Sequence, residues 1–278
     1  MHMESTMAVR AKTGPLLRWA GSKQRLVPRL AEYWGQNHKR YIEPFSGSAA
    51  LFFHLRPGVA RLNDINTQLI ECYEVLAKDP DDLYRRVISI SSDEENYYLV
   101  RSQDPSSLSA EERAARFIYL NRHCFNGIYR TNQKGQFNVP YGAAKAGAVP
   151  SREKFNECAA AIRCAELTCL DFDEFISKTV QSGDFVYLDP PYAVANRRIF
   201  RQYDKHSFGL EDIERLSECL EYIDSVGASF VVSYALSAEI KKITKRWTAR
   251  RVIAQRNVAG FAEHRRKAVE VIVTNIKE

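Results

Sequence analysis

Four consecutive residues, Asp189-Pro190-Pro191-Tyr192, place a carboxylate, two prolines and an aromatic ring directly after an apolar run at residues 185–188. The run is rich in β-branched and aromatic side chains and predicts a buried strand, which the two prolines must end. In an open α/β sheet the carboxyl ends of the strands line the ligand crevice, so this motif is expected at such a crevice.

The backbone of this motif limits what it can bind. Pro190 fixes its own φ and Pro191 keeps Pro190 extended, so the direction of the Pro190 carbonyl is set before any ligand arrives. The Asp189 carboxylate and this carbonyl could accept the two N–H groups of an amine on a flat ring, while Tyr192 stacks on the ring. A turn with an incidental tyrosine is the alternative for a motif this short.

A lysine follows a glycine and a serine in the segment Gly21-Ser22-Lys23, ahead of a predicted helix. A lysine held near backbone N–H groups suits a carboxylate or a phosphate. The Gly-x4-Gly-Lys-Ser/Thr pattern of phosphate-binding loops is not met, because Gln24 follows the lysine. The sequence therefore does not indicate a nucleoside triphosphatase.

A predicted strand at residues 41–43 is followed by a glycine-containing turn and a helix at residues 49–55. Gly47 in this turn allows the backbone to approach a nucleotide-like ligand closely. A second predicted strand, residues 59–62, precedes Asp64, which lies 17 residues after Gly47. Such folds place an acid on a ribose diol after roughly 20 residues, so the pair indicates an adenosine-containing cofactor. Capping and turn chemistry beside Asn66 is the alternative for Asp64.

Residues 67–150 show amphipathic helices joined by polar segments, and we predict a helical insertion into an α/β domain. Two turn signals near its end, Asn126-Gly127 and Lys134-Gly135, flank residues that alternate as in a hairpin. This segment, called here the basic hairpin (residues 124–142), is rich in arginine, asparagine and aromatic side chains. Such side chains contact base edges and stack on bases, so the segment is typical of a nucleic-acid contact.

The strand–helix alternation resumes after residue 151. We predict strands at residues 167–170 and 229–234, with Asp173 capping the helix that follows the first of them. Helices are predicted at residues 210–225 and 238–245. Residues 250–254 and 268–274 are expected to form a closing strand pair around a basic loop.

Positive charge is concentrated in two stretches of this 278-residue chain, whose net charge is +6. Residues 113–152 contain seven Lys or Arg and no acid, and residues 241–267 contain ten against one Glu. Such stretches indicate contact with a polyanion, although merely soluble basic surfaces would give the same count. No apolar run is long enough to span a membrane, and the six cysteines lack the spacing of a metal site. We therefore expect a cytoplasmic protein without a metal centre.

Five blocks of the chain, in their order, resemble the Dam-type, alpha-group DNA adenine-N6 methyltransferases. The resemblance implies an α/β fold with a Rossmann-like, mostly parallel methyltransferase sheet that has one antiparallel strand. It further implies a catalytic domain of residues 1–66 and 151–278 and an inserted helical target-recognition domain of residues 67–150. The blocks are Arg18-Trp19-Ala20-Gly21-Ser22-Lys23, Glu43-Pro44-Phe45-Ser46-Gly47, Asn63-Asp64-Ile65-Asn66, residues 121–142 and Asp189-Pro190-Pro191-Tyr192.

The resemblance also implies that S-adenosyl-L-methionine is the cofactor, that S-adenosyl-L-homocysteine is its product and that no metal takes part. Three parts of the cofactor would each meet their own residues. Trp19 and Lys23 would border the methionine end with Phe45 and Gly47 beneath it, Asp64 would hold the ribose hydroxyls, and Asp171 and Phe172 would meet the adenine.

The implied substrate is an adenine extruded from double-stranded DNA, because its amine is otherwise paired and out of reach. Asp189 and the Pro190 carbonyl would accept the two N6 hydrogens, and Tyr192 would stack on the base. We expect a nucleoid-associated monomer, with two copies on one palindromic site as an option. The residues expected to contact DNA are Arg18, Arg122, Phe125, Asn126, Ile128, Arg130, Asn132, Lys134 and Pro140.

The sequence departs from the family pattern at a few positions: Ser22 replaces a common glycine, and Phe125 stands where a tyrosine is frequent. These changes leave the chemistry intact but leave the DNA target sequence open. Methylation of cytosine N4 or of RNA is one alternative, although cytosine enzymes tend to have serine at the position of Asp189. A catalytically inactive DNA-binding regulator on the same fold is another, and the intact acids Asp64 and Asp189 argue against it.

Overall fold

A computed structural model describes residues 14–19, 21–132, 134–192, 208–237, 240, 246–255 and 267–277. One sheet of seven strands organises them, in the order β3-β2-β1-β4-β5-β7-β6. Pairing is parallel from β3 to β5, whereas β7 runs antiparallel to both of its neighbours. The strands are β1 (Tyr41–Glu43), β2 (Ala60–Asn63), β3 (Ala165–Thr168), β4 (Phe185–Leu188), β5 (Ser229–Ala235), β6 (Thr248–Gln255) and β7 (Lys267–Thr274).

This topology is that of a Rossmann-like methyltransferase sheet, so the predicted fold class with one antiparallel strand is confirmed. The strand order reverses between β1 and β4, because the chain builds outward through β2 and β3 on one side and through β5 on the other. Ligands of open α/β sheets bind at the carboxyl ends of the strands at such a reversal. A binding site is therefore expected at the segments that follow β1 and β4.

Helices cover both faces of the sheet. Alternate strand residues point to opposite faces, so each face contributes its own buried cluster. Tyr41, Phe185 and Tyr187 belong to one buried cluster, whereas Ile42, Val186 and Leu188 belong to the other. The helices are α1 (Val27–Leu30), α2 (Ala50–Leu55), α3 (Thr67–Lys78), α4 (Pro80–Ile88), α5 (Glu94–Ser102), α6 (Ala110–His123), α7 (Arg152–Ile162), α8 (Phe172–Thr179) and α9 (Leu210–Ser225), with 3-10 turns at Ala31–Tyr33, Pro105–Ser107, Phe125–Gly127 and Ala143–Lys145.

Strand β3 ends two residues before the predicted end of residues 167–170, and Asn63 supplies the reason. Its side-chain amide pairs with both backbone groups of Leu170, accepting from the N–H at 2.9 Å and donating to the carbonyl at 3.0 Å. Leu170 thus pairs with a side chain instead of a strand. The predicted cap was also wrong: Asp171, not Asp173, is the N-cap of α8, where its carboxylate accepts the Asp173 N–H.

The predicted insertion of residues 67–150 is helical, but its first helix packs on the sheet and its last helix packs on the first. Helices α3 and α6 contribute to the same buried cluster as the sheet residues of that face. A smaller cluster, which includes Tyr97, Tyr119 and Val139, lies between α5, α6 and the basic hairpin. The domain boundary at residue 67 stays a prediction, since α3 shares the core of the catalytic sheet.

Two predicted segments, the helix at residues 238–245 and the loop at residues 256–266, lie largely or wholly outside the described residues. The closing strand pair around that loop is present as β6 and β7. In the described part of the chain, no helix combines the length and the apolar character that crossing a membrane requires.

Candidate active site

Asp189 lies at the carboxyl end of β4, where the two prolines stop the strand. One oxygen of its carboxylate, Oδ1, accepts hydrogen bonds from Lys23 Nζ at 2.6 Å and from Ser233 Oγ at 3.2 Å. The side chain of Asp189 keeps 19% of its exposure and that of Lys23 keeps 8%. The carboxylate is thus held by the protein but still reaches solvent.

Lys23 has all three of its ammonium hydrogens occupied. They go to Asp189, to the Tyr192 hydroxyl at 3.0 Å and to the Gly21 carbonyl at 3.1 Å. The Tyr192 hydroxyl in turn donates to Glu270 Oε1 at 3.2 Å. The ring of Tyr192 packs edge-on against Tyr234, with ring centroids 5.2 Å apart, and Lys23 Nζ lies 5.1 Å from its centroid.

Burial and charge act in opposite directions on the Lys23–Asp189 pair. Burial lowers the pKa of Lys23, but the attraction of Asp189 and Tyr192 outweighs it and raises that pKa above its ordinary value. Burial also raises the pKa of Asp189, which Lys23 opposes. A 2.6 Å contact with an ammonium favours the charged form of both partners, so we assign an ion pair and not a neutral pair.

The loop after β1 lies beside this pair. Gly47 has φ +46°, and a Cβ atom built on it would meet Trp19 Nε1 at 2.8 Å, so the indole packs directly on the loop backbone. The Gly47 N–H donates to Asp64 Oδ2 at 2.9 Å, and the Asn66 N–H donates to Oδ1 at 3.0 Å. Asn66 caps α3, so the capping alternative is part of the structure. Asp64 nevertheless keeps acceptor capacity, because each carboxylate oxygen can take two hydrogen bonds.

Aromatic side chains continue the site on the far side of the loop. The rings of Phe45 and Phe172 lie 5.1 Å apart, and the Arg215 guanidinium lies over the Phe172 ring at 4.6 Å. Arg215 also pairs with Asp171 and Asp173 at the start of α8. Asp171 is therefore both a helix cap and an ion-pair partner at this edge of the site.

The basic hairpin turns at Gly135, which has φ +75°, as its Lys134-Gly135 signal predicts. Its two arms are joined by antiparallel bridges between Thr131 and Phe137 and between Cys124 and Tyr141. Asn126 adopts the left-handed conformation at φ 57°. The expected DNA contacts on this hairpin are partly or fully exposed: Phe125, Asn126, Ile128 and Asn132 are half-buried, and Arg130, Lys134 and Pro140 are exposed.

Two of the expected DNA contacts are also structural. Arg122 is half-buried and donates to the Leu16 carbonyl, and burial, with repulsion from Arg18, lowers its pKa to about 10. Arg18 exchanges two backbone hydrogen bonds with the Asn121 side chain, at 2.9 and 2.6 Å, and packs against Gly127. These contacts fix the segment of residues 16–19 against the base of the hairpin.

The segment from Arg18 to Lys23 joins the hairpin to Asp189. Trp19 stacks on Tyr129 of the hairpin with ring centroids 5.8 Å apart, and it also contacts Phe117 and Gly47. Lys23, four residues later, binds Asp189. Four residue steps span at most roughly 14 Å, so Tyr129 at the base of the hairpin lies near the Lys23–Asp189 pair. The structure therefore connects Trp19 and Lys23 of the expected cofactor site with Asp189 and with the base of the hairpin.

Sequence reasoning missed Ser233, Glu270 and Arg215. Glu270 lies in an otherwise apolar run, Val269 to Val273, and is 2% exposed, so an acid inside a buried strand was the available signal. Ser233 and Arg215 gave no local signal, because their partners come from neighbouring elements of the fold. Among the described residues, no group of three or more His, Cys, Asp or Glu side chains could hold a metal.

The donor set fits an adenosyl group. Asp64 offers acceptors to a ribose diol, and Phe45 and Phe172 offer aromatic surface to a base. Ser46, in the same loop as Gly47, is 4% exposed, and its hydroxyl has no hydrogen-bond partner in the described structure. A buried polar atom without a partner is expected where a ligand supplies one.

Comparison with known proteins agrees with this geometry. The model of the D12 class N6 adenine-specific DNA methyltransferases matches residues 19–258. Type II methyltransferase M1.LlaDCHI of Lactococcus lactis is 34% identical over 94% of this chain and 95% of its own length. The DNA adenine methylase of Serratia marcescens is 32% identical over 90% and 95%, and type II methyltransferase M.MjaIII of Methanocaldococcus jannaschii is 31% identical over 94% and 98%.

The fold and the site define an amino-group methyltransferase of the Rossmann-like class. More narrowly, the chain belongs to the D12 class of N6 adenine-specific DNA methyltransferases.

Proposed function

We propose that this chain methylates the N6 amine of an adenine that has been extruded from a short duplex DNA site, with S-adenosyl-L-methionine as methyl donor. One observation carries the proposal: Asp189 stands at the strand reversal and binds Lys23, whose segment also carries Trp19, the residue that contacts both Gly47 and Tyr129 of the basic hairpin. The bound cofactor supplies an electrophilic methyl group. All other functions fall to residues of this chain.

Asp189 and the Pro190 carbonyl accept the two N6 hydrogens of the adenine. These bonds draw the nitrogen lone pair out of conjugation with the ring and orient it, and Tyr192 stacks on the base. Pro191 keeps the carbonyl in place. Extruding the base costs a few kcal/mol of unstacking, which contacts to the extruded base and to the flanking DNA offset.

Lys23 keeps Asp189 charged and so keeps it an acceptor. At the same time it borders the methionine end of the cofactor together with Trp19. The remaining cofactor contacts divide by chemistry: Phe45 and Gly47 lie beneath the methionine end, Asp64 accepts from the ribose hydroxyls, and Asp171 and Phe172 meet the adenine ring.

DNA is bound by the basic hairpin and by the segment before it. Arg130 contacts a guanine, and Phe125 fills or wedges the gap that the adenine leaves. Arg18 and Arg122 support the hairpin from below and add positive charge near the first base of the site. The other proposed contacts are Asn126, Ile128, Asn132, Lys134 and Pro140.

We propose a monomer in solution, with two copies able to meet on one palindromic site. Double-stranded DNA as the substrate would place the protein with the nucleoid in the cytoplasm.

The test is transfer of a tritiated methyl group from labelled S-adenosyl-L-methionine to mixed-sequence duplex DNA, followed by nucleoside analysis. Label in N6-methyladenine supports the proposal. Label in N4-methylcytosine, or in RNA alone, assigns the site to a different amine. Absence of transfer by a protein that binds DNA and the cofactor would make the chain an inactive regulator.

A further inference from the structure

The two oxygens of the Asp189 carboxylate are treated differently by the fold. Both hydrogen bonds from Lys23 and from Ser233 go to Oδ1. Within the described residues, no donor contacts Oδ2. Since the side chain keeps 19% of its exposure, Oδ2 is the oxygen with capacity left for a ligand.

Strand pairing explains why Ser233 reaches Asp189. Strands β4 and β5 are parallel, with Leu188 opposite Val232, so the next residue of each strand lies side by side. Ser233 is fully buried, at 0% exposure, so its hydroxyl makes its hydrogen bonds with protein groups. Its position at the end of the β4 ladder places its hydroxyl against the carboxylate.

The direction of the hydrogen bonds behind Ser233 follows from counting protons. Ser233 has one hydroxyl proton, and an ionised carboxylate can only accept, so this proton goes to Asp189. The hydroxyl of Tyr187, 2.9 Å from Ser233 Oγ, must then donate to the serine. Tyr187 is 3% exposed, so the series of hydrogen bonds from Tyr187 through Ser233 to Asp189 Oδ1 starts from two buried side chains of the sheet.

We propose that Ser233 is a positioning residue that fixes the rotation of the Asp189 carboxylate, so that Oδ2 receives a hydrogen of the adenine amine. The inference rests on the proposed function of Asp189. Rotation of a carboxylate about its last side-chain torsion is broad and roughly two-fold, so the single hydrogen bond from Lys23 leaves the angle loosely set. Lys23 supplies the charge, and Ser233, approaching from the neighbouring strand, sets the angle.

The decisive variant is Ser233→Ala, which removes the hydroxyl and leaves the backbone ladder intact. Thr274→Val is the matched control, because Thr274 is another buried hydroxyl of this sheet and donates to the Phe230 carbonyl at 2.6 Å, away from Asp189. Each variant loses two internal hydrogen bonds, because Ser233 Oγ also accepts from Tyr187 and Thr274 Oγ1 also accepts from the Ile276 N–H at 3.1 Å. Only Ser233→Ala changes the carboxylate.

Steady-state methyl transfer separates a positioning role of Ser233 from the general effect of losing a buried hydroxyl. We expect Ser233→Ala to lower kcat by about tenfold to a hundredfold, with KM for DNA and for S-adenosyl-L-methionine within about twofold of wild type. Thr274→Val should keep the wild-type kcat. DNA binding by fluorescence anisotropy, measured without cofactor, should be the same for both variants and wild type. Tyr187→Phe, which leaves the serine hydroxyl in place, should lower kcat by a smaller factor.

Two results would overturn the inference while leaving the proposed function standing: an active wild type with an equal kcat for Ser233→Ala, or equal losses of kcat for Ser233→Ala and Thr274→Val. If Ser233→Ala does not fold, Tyr187→Phe decides, and a wild-type kcat for it contradicts the proposal. A wild-type protein that transfers no methyl group to adenine would instead overturn the proposed function, and this inference with it.

Discussion

Replacing Lys23 by methionine removes a cation from a nearly closed site and keeps most of the length of the side chain. Lys23 Nζ lies 2.6 Å from Asp189 Oδ1, and the two side chains are 8% and 19% exposed. Removing one partner of a buried pair costs about 3–5 kcal/mol, because the other charge stays buried without compensation. Since Asp189 keeps some contact with solvent, we expect a loss near the lower end, about 3 kcal/mol.

The free energy of unfolding in urea measures this loss directly. Lys178→Met is a matched control, because Lys178 lies at the same 2.6 Å from Glu174 but the two side chains are 66% and 44% exposed. An exposed i,i+4 pair of this kind contributes about 0.3–0.5 kcal/mol. Asp189→Asn in the Lys23→Met background removes the uncompensated charge and should recover most of the stability. Equal losses for Lys23→Met and Lys178→Met, or no recovery in the double variant, would refute the assignment of a buried ion pair.

Three further predictions concern the cofactor loop, the hairpin and a buried histidine. Gly47→Ala should destabilise the protein more than Gly135→Ala, and it alone should weaken S-adenosyl-L-methionine binding in calorimetry. Both glycines have positive φ, at +46° and +75°, but only a Cβ at Gly47 would meet Trp19. Equal losses of stability and of cofactor affinity for the two variants would contradict this prediction. Arg130→Ala should relax base preference at one position of the DNA site by roughly 1–3 kcal/mol in methylation of a randomised library, and a uniform loss over all sequences would show a phosphate contact instead. Burial, reinforced by Arg122 and Arg18, lowers the pKa of His123 below its ordinary 6.5. The stability this histidine contributes is therefore present above pH 6.5 and is lost as the pH drops through the lower folded pKa. In His123→Gln the free energy of unfolding in urea should depend less steeply on pH in this range, and an unchanged pH dependence would contradict this prediction.

The sequence predicted best what short-range chemistry decides. Two prolines end β4 at Asp189 whatever the surroundings, and the helix at Leu210–Ser225 follows from its apolar spacing. The predicted β3 was displaced because the side chain of Asn63, distant in sequence, pairs with Leu170. Local spacing carries no information about such a partner.

The partners of Asp189 show the same limit. Lys23 was predicted to border the cofactor, yet its three hydrogens go to protein acceptors, one of them 169 positions away. Ser233 becomes a neighbour of Asp189 only because β5 pairs with β4 in one register. Glu270 reaches Tyr192 because β7 pairs with β5 in the antiparallel direction. Strand order therefore decides which side chains contact Asp189 and Tyr192.

The most direct test of the account compares Asp189→Asn with wild type in single-turnover methyl transfer and in DNA binding. Asparagine keeps the shape of the side chain and an oxygen for Lys23, but it removes the charge and turns one acceptor into a donor. The account predicts wild-type affinity for DNA and for S-adenosyl-L-methionine, with methyl transfer to adenine reduced by at least about a hundredfold. Methyl transfer by Asp189→Asn at the wild-type rate would contradict the claim that this carboxylate binds the reacting amine.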